Sequence, residues 1–158
     1  MFSATHLHAM FIHFPIALLI VGFLFEILSL IFKKEYFKKA AFYLLIFGAL
    51  GTVASYFSGN AAGEGIEEGP LKNPLEQHEQ AATISLWLTI AAAVIYSLVA
   101  IMKNKKTWLK VVSVFLFAAV IGSIARTGYL GGQLVYKHGA GIELGLPDFS
   151  QQNDAEEK

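Results

Sequence analysis

The stretch Thr5-His6-Leu7-His8-Ala9-Met10-Phe11-Ile12-His13-Phe14-Pro15 opens an apolar segment that continues to Phe32. It carries three of the five histidines of the chain, and the remainder of the segment (16–32) holds one charged residue, Glu26. A helix over Leu7 to Phe32 has more than the roughly 20 residues needed to cross a hydrocarbon core about 30 Å thick. The segment therefore predicts a membrane-spanning helix with imidazoles at its entrance.

Three further apolar segments are long enough to span a membrane: Tyr36 to Phe57, Ala81 to Met102 and Trp108 to about Tyr129. The first segment is not typical of a cleaved signal peptide, since it lacks a basic start and a small-residue cleavage site. Hydrophobic residues make up 55% of the 158-residue chain and charged residues 15%. The sequence thus predicts an all-α integral membrane protein, a four-helix up-down bundle over residues 1–143, followed by a polar, disordered tail (144–158).

Charged residues are segregated between the loops. The two short turns are rich in lysine: Lys33, Lys34, Lys38, Lys39, Lys103, Lys105, Lys106 and Lys110. The long loop between the second and third segments is acidic: Glu64, Glu67, Glu68, Glu76 and Glu79, against one lysine, Lys72. By the positive-inside rule, both lysine turns are cytoplasmic, and the acidic loop and both termini lie outside.

Local signals predict where the helices end. The glycine-rich stretch 58–65 predicts an irregular loop, and Asn73, followed by Pro74 and Glu76, predicts the start of the third helix. Paired glycines at Gly131 and Gly132 predict the end of the fourth helix.

This topology brings all five histidines to the outer side. At 1.5 Å rise per residue, His13 and Arg126 stand about 28 Å above the lysine turns, and His8 and His78 about 36 Å above them. His138 lies higher or folds back, depending on the paired glycines. No charged residue lies near the middle of the bilayer, so a proton path through the bundle is not supported.

Clustered imidazoles from facing helices are typical of b-type haem ligation, in which two axial ligands approach from opposite sides. His13 and His78 are predicted as one axial pair, with Arg126 at a haem propionate. His8 and His138 are predicted as a second pair, which gives one or two haems. His8 and His13 are about 140° apart around a helix, so one iron is not expected to take both.

Two alternatives stay open. A zinc or copper ion could be held by His8, His78 and His138, or the histidines could only make hydrogen bonds in a scaffold subunit of a larger complex. The chain lacks cysteine, which excludes thiolate metal sites and disulfides. Its net charge is zero, so it lacks the excess of basic residues that is typical of nucleic-acid-binding proteins. No nucleophile–base set or phosphate loop indicates a hydrolase or an ATPase.

Three motifs resemble one known family. They are His-Ala-x-x-x-His-Phe-Pro-Ile-Ala-Leu-Leu from His8, the histidine ahead of the third span (His78), and Gly-Gly-x-Leu-Val-Tyr-x-His-Gly over 131–139. Together they resemble the bacterial four-helix membrane family called domain of unknown function 2231, over His8 to about Glu143. The motif positions are His8, His13, His78, Gly131, Gly132, Tyr136, His138 and Gly139. Ala9 departs from the family pattern, which commonly has proline there, and this loosens the entry turn.

The resemblance implies a protein of the bacterial inner membrane in a redox neighbourhood, since some members appear joined to cytochrome-type domains. We therefore expect an electron-transfer protein with b haem near its periplasmic face. It would pass electrons between a quinone or membrane partner and an outer redox protein, alone, as a homo-oligomer or as a subunit of a larger complex.

Overall fold

The chain folds into four long α-helices with short connections. The structure is a computed structural model that describes residues 3–64, 66, 68–101 and 107–142. The helices are α1 (Ala4–Phe32), α2 (Glu35–Gly63), α3 (Lys72–Ile101) and α4 (Thr107–His138). The predicted all-α, four-helix up-down architecture is confirmed. The predicted tail, together with Lys103, Lys105 and Lys106, falls outside the described residues.

All four helices are long and apolar enough to cross a membrane. In lipid, every backbone polar group must be satisfied within the protein, and a helix does so along its own axis. Large apolar side chains cover the outside of the bundle, with Phe14 71%, Leu24 53% and Phe115 72% exposed. Such a surface would be costly in water and is the surface expected against lipid tails.

The helices pack in a ring, and this order decides which side chains can meet. Helix α1 packs most extensively on α2 and α3 on α4, while α2 contacts α3 and α4 closes the ring more loosely on α1. Helices α1 and α3 therefore lie on a diagonal and face each other across the bundle. We call the end with both termini the histidine end and the opposite end the lysine end.

Small residues let α1 and α2 approach closely, as packing in lipid requires. A Cβ at Gly48 would lie 2.6 Å from Cγ of Leu19, which is fully buried in the core. A Cβ at Gly51 would lie 3.2 Å from Pro15, and α1 continues through this proline as one helix. The buried face of α1 thus runs through Pro15 and Leu19.

Three helix ends differ from the prediction. Helix α2 continues through the glycine-rich stretch to Gly63, α3 begins at Lys72, just before Asn73, and α4 continues through Gly131 and Gly132 to His138. Glycine in a helix costs about 0.5–1 kcal/mol relative to alanine. Contacts between the helices offset this cost, because Gly63 lies against Leu75 of α3 and Gly131 against His78. The histidine end is consequently a packed helical layer.

Candidate functional site

His8 is held on α2 by hydrogen bonding and by close packing. Its Nδ1 lies 3.1 Å from Oγ of Ser58, and that hydroxyl donates to the carbonyl of Ser55 at 3.0 Å. Because the serine proton is already used, the Nδ1–H of His8 is the donor to Ser58 and the neutral ring keeps a lone pair on Nε2. A Cβ at Gly59 would lie 2.9 Å from Cε1 of His8, so this glycine makes room for the ring.

His78 is held on α4 in the same way. Its Nδ1 lies 3.1 Å from the carbonyl oxygen of Thr127, which can only accept, so Nδ1 donates and Nε2 again carries the lone pair. A Cβ at Gly131 would lie 3.0 Å from Cε1 of His78, whereas a Cβ at Gly132 would meet nothing within 4 Å. The first glycine of the pair is therefore the one that accommodates the imidazole.

His8 and His78, which we call the imidazole pair, lie near each other across the diagonal of the bundle. They lie close enough that a positive charge on one would repel a positive charge on the other. Both side chains are partly buried, and both anchoring hydrogen bonds use Nδ1. The pair thus presents two Nε2 lone pairs that come from opposite helices.

The other predicted site residues lie elsewhere at the histidine end. Nδ1 of His13 lies 2.6 Å from the carbonyl of Ala9 in its own helix, and the side chain is exposed. His138 and Arg126 are exposed on α4, and His6 bonds to the helix-capping Ser3 through Nδ1 at 2.8 Å. The structure therefore places His8 near His78 and leaves His13 and His138 exposed, and the pairs of His13 with His78 and His8 with His138 stay predictions.

Helix geometry explains this difference. His8 and the buried Pro15 are seven residues apart, about two full turns, so both lie on the face of α1 that packs in the bundle. His13 is about 140° away from His8 around the helix and therefore points outward. The equal heights predicted for His8 and His78 agree with their proximity in the structure. The seven-residue spacing to Pro15 was the signal missed, and nothing in the sequence singled out Ser58 or Gly59 as supports.

His8 and His78 come from helices that lie on a diagonal of the bundle, and two imidazoles are the donor set that a bis-histidine group would need. Oγ of Ser55, next to the support of His8, is buried with no hydrogen-bond partner in the described part of the chain. Two glycines make room for the rings and two hydrogen bonds fix their tautomers. The hydroxyl of Ser55 is therefore a polar group that a further ligand could satisfy. Over the described residues, no group of three or more His, Cys, Asp or Glu side chains is arranged to hold a metal ion. The zinc or copper triad of His8, His78 and His138 is thus not assembled there.

An open acidic groove lies at the histidine end, between α2 and α3. Its volume is about 1120 Å³, and its lining includes four glutamates and one lysine: Glu64, Glu68, Glu76, Glu79 and Lys72. The predicted acidic character of this end is therefore concentrated on one side of the bundle.

Comparison with known proteins gives one match. The family model described as "Predicted membrane protein (DUF2231)" matches residues 4–144, which is most of the chain. The chain therefore belongs to this family, as its motifs suggested. No curated protein and no solved structure matches it.

Proposed function

We propose that this member of the DUF2231 family is a membrane b-type cytochrome whose haem iron is held between His8 and His78. The observation that carries the proposal is the imidazole pair itself. Two rings on diagonal helices each use Nδ1 for a hydrogen bond to the protein and leave Nε2 for a ligand. Bis-histidine ligation needs two such neutral nitrogens approaching from opposite sides.

The supports of the two rings favour a ligand role over a purely structural one. A hydrogen bond from the distal ring nitrogen fixes the tautomer and ring orientation and makes the ligating nitrogen more basic. Ser58 supplies this bond for His8 and the carbonyl of Thr127 supplies it for His78. Bound haem would supply one-electron chemistry, for exchange with a quinone or a redox protein.

The remaining predicted residues keep their proposed roles around this centre. Arg126 is exposed next to Thr127 and is proposed as the cation for a haem propionate. His13 and His138 are both exposed and stay candidates for a second haem. By the positive-inside rule, the histidine end is proposed to face the periplasm of a bacterial inner membrane.

The test is a reduced-minus-oxidised visible spectrum of detergent-purified protein from haem-sufficient cells, with a pyridine haemochrome assay for stoichiometry. We expect α and Soret bands, which His8→Ala and His78→Ala each abolish. The matched control is His13→Ala, which removes an imidazole five residues along the same helix and is expected to leave the bands of the first haem intact.

Each other outcome would replace the proposal with a defined alternative. Bands lost in His13→Ala but kept in His8→Ala would restore the pairing of His13 with His78. A colourless protein would refute the cytochrome. Elemental analysis for zinc and copper would then separate a metal-binding protein, which retains metal, from a scaffold subunit, which does not.

A further inference from the structure

A second cavity lies at the lysine end, separate from the imidazole pair. Its volume is about 360 Å³, and all four helices or their caps contribute to its lining. Four lysines line it against two glutamates: Lys33, Lys34, Lys38, Lys110, Glu26 and Glu35. Glu26 is 18 residues from His8 on α1, a separation of about 27 Å, so the cavity does not depend on what binds at the histidine end.

One of these carboxylates, that of Glu26, already accepts a hydrogen bond within the protein. Glu26 is 6% exposed and accepts a hydrogen bond from the hydroxyl of Tyr96, which is 5% exposed. Lys38 is partly buried and close enough to interact electrostatically with Glu26. Lys33, Lys34 and Lys110 are exposed around the same cavity, which leaves its mouth with an excess of positive charge.

Lys33 occupies an unusual backbone conformation at this mouth. It caps the end of α1 with φ of 51°, where it donates its N–H to Ser29 at 3.0 Å. It is the one non-glycine residue with positive φ in the described part of the chain. Glycine is the usual residue at such a helix end, because the left-handed region is unfavourable for residues that have a Cβ. The cost of this conformation points to a role for the Lys33 side chain at the mouth of the cavity.

We propose that this cavity binds the phosphate of an anionic phospholipid from the leaflet at the lysine end, which the positive-inside rule predicts to be cytoplasmic. Lysine ammonium groups bind phosphate as point charges, and basic pockets between membrane helices take anionic lipid headgroups. Leu30, Val99 and Ala100 add an apolar side to the lining, which suits the acyl part of a lipid better than free phosphate.

The experiment is native mass spectrometry of the full chain in detergent, titrated with phosphatidylglycerol, phosphatidylcholine, glycerol 3-phosphate or inorganic phosphate. We expect one tightly held phosphatidylglycerol and much weaker binding of the other three. A cation near an anionic lipid contributes about fivefold in affinity. The double variant Lys33→Gln/Lys110→Gln should therefore bind phosphatidylglycerol about 25-fold more weakly.

The matched control is Lys39→Gln/Lys137→Gln, which removes the same charge from two exposed lysines that do not line the cavity. It should bind phosphatidylglycerol like the parent. Equal loss in both double variants, or equal binding of phosphatidylcholine, would refute an anion site in the cavity. Equal affinity for glycerol 3-phosphate or inorganic phosphate would refute the lipid source. If the first double variant does not fold, Lys33→Gly, which relieves the backbone, should still weaken phosphatidylglycerol about fivefold.

Discussion

Helices α1 and α3 each carry a polar residue at both ends of the bundle, but the two ends satisfy the hydrogen bonds of these residues differently. On α1, Glu26 follows His8 by 18 residues, and on α3, Tyr96 follows His78 by 18 residues. Eighteen residues are five full turns, so each helix presents both of its polar residues on one face. At the lysine end the two side chains bond to each other, whereas at the histidine end each bonds to a neighbouring helix.

We call Tyr96 and Glu26, which bond to each other, the closed pair; the imidazole pair, whose Nε2 atoms have no such bond to any residue that the structure describes, is the open pair. The hydrogen bond between Tyr96 and Glu26 leaves little for a ligand to complete and joins α3 directly to α1. The supports of the imidazole pair instead fix two rings while leaving their Nε2 atoms available. The comparison predicts that substitutions at the imidazole pair alter haem binding, whereas removal of the hydrogen bond between Tyr96 and Glu26 alters stability and leaves the haem unaffected.

The largest effect is expected from Gly131→Ala, which would break the open pair. The new Cβ would lie 3.0 Å from Cε1 and 3.3 Å from Nδ1 of His78, so the ring must shift by a few tenths of an ångström, which disturbs its hydrogen bond to Thr127. Overpacking costs about 1–3 kcal/mol, which the gain of up to about 1 kcal/mol from alanine in a helix offsets only in part, and it also displaces the proposed haem ligand. Thermal unfolding in detergent and the haem spectrum should both report the change.

The adjacent glycine provides the control for this substitution. A Cβ at Gly132 would meet nothing within 4 Å, and alanine is favoured over glycine in a helix by up to about 1 kcal/mol. Gly132→Ala should therefore keep the spectrum and raise the stability slightly. The same response in both variants would show that the ring of His78 does not rest on Gly131.

Tyr96→Phe is expected to have the next largest effect, at the closed pair. It removes the hydroxyl that donates to the buried Glu26 while keeping the ring in the core beside Phe42. Interhelical hydrogen bonds in membranes contribute about 1–2 kcal/mol in model peptides, so unfolding should become easier by about that amount. The haem spectrum should stay unchanged.

A matched tyrosine tests whether the hydroxyl itself is responsible. Tyr43, near the same end, is 58% exposed, and Tyr43→Phe should leave the stability nearly unaltered. If Tyr96→Phe were as neutral as Tyr43→Phe, the closed pair would contribute nothing to holding α3 against α1. A loss of the spectrum in Tyr96→Phe would instead contradict the independence of the two ends.

The sequence was sufficient to predict the four helices because the length of an apolar segment is a local signal. It also placed His8 and His78 at one height, since helical rise converts residue number into distance. Which side chains meet depends on the inward face of each helix. The seven-residue spacing of His8 to Pro15 was a local hint to that face of α1, but the ring order of the four helices, which sets the neighbours, is not a local property. The continuation of α4 through Gly131 has the same origin, because contact with His78 and not local propensity decides it.

The smallest effect, and the one opposite in sign, is expected for Lys33→Gly at the lysine end. Relief of the left-handed conformation at φ of 51° should stabilise the bundle by about 1 kcal/mol. Lys34 has φ of −94° at the cap of α2, so Lys34→Gly gains no such relief and should be neutral or slightly destabilising. Thermal unfolding of both variants without added lipid measures the difference. Were Lys33→Gly no more stable than Lys34→Gly, the conformation of Lys33 would carry no cost, and strain would no longer support a role for its side chain.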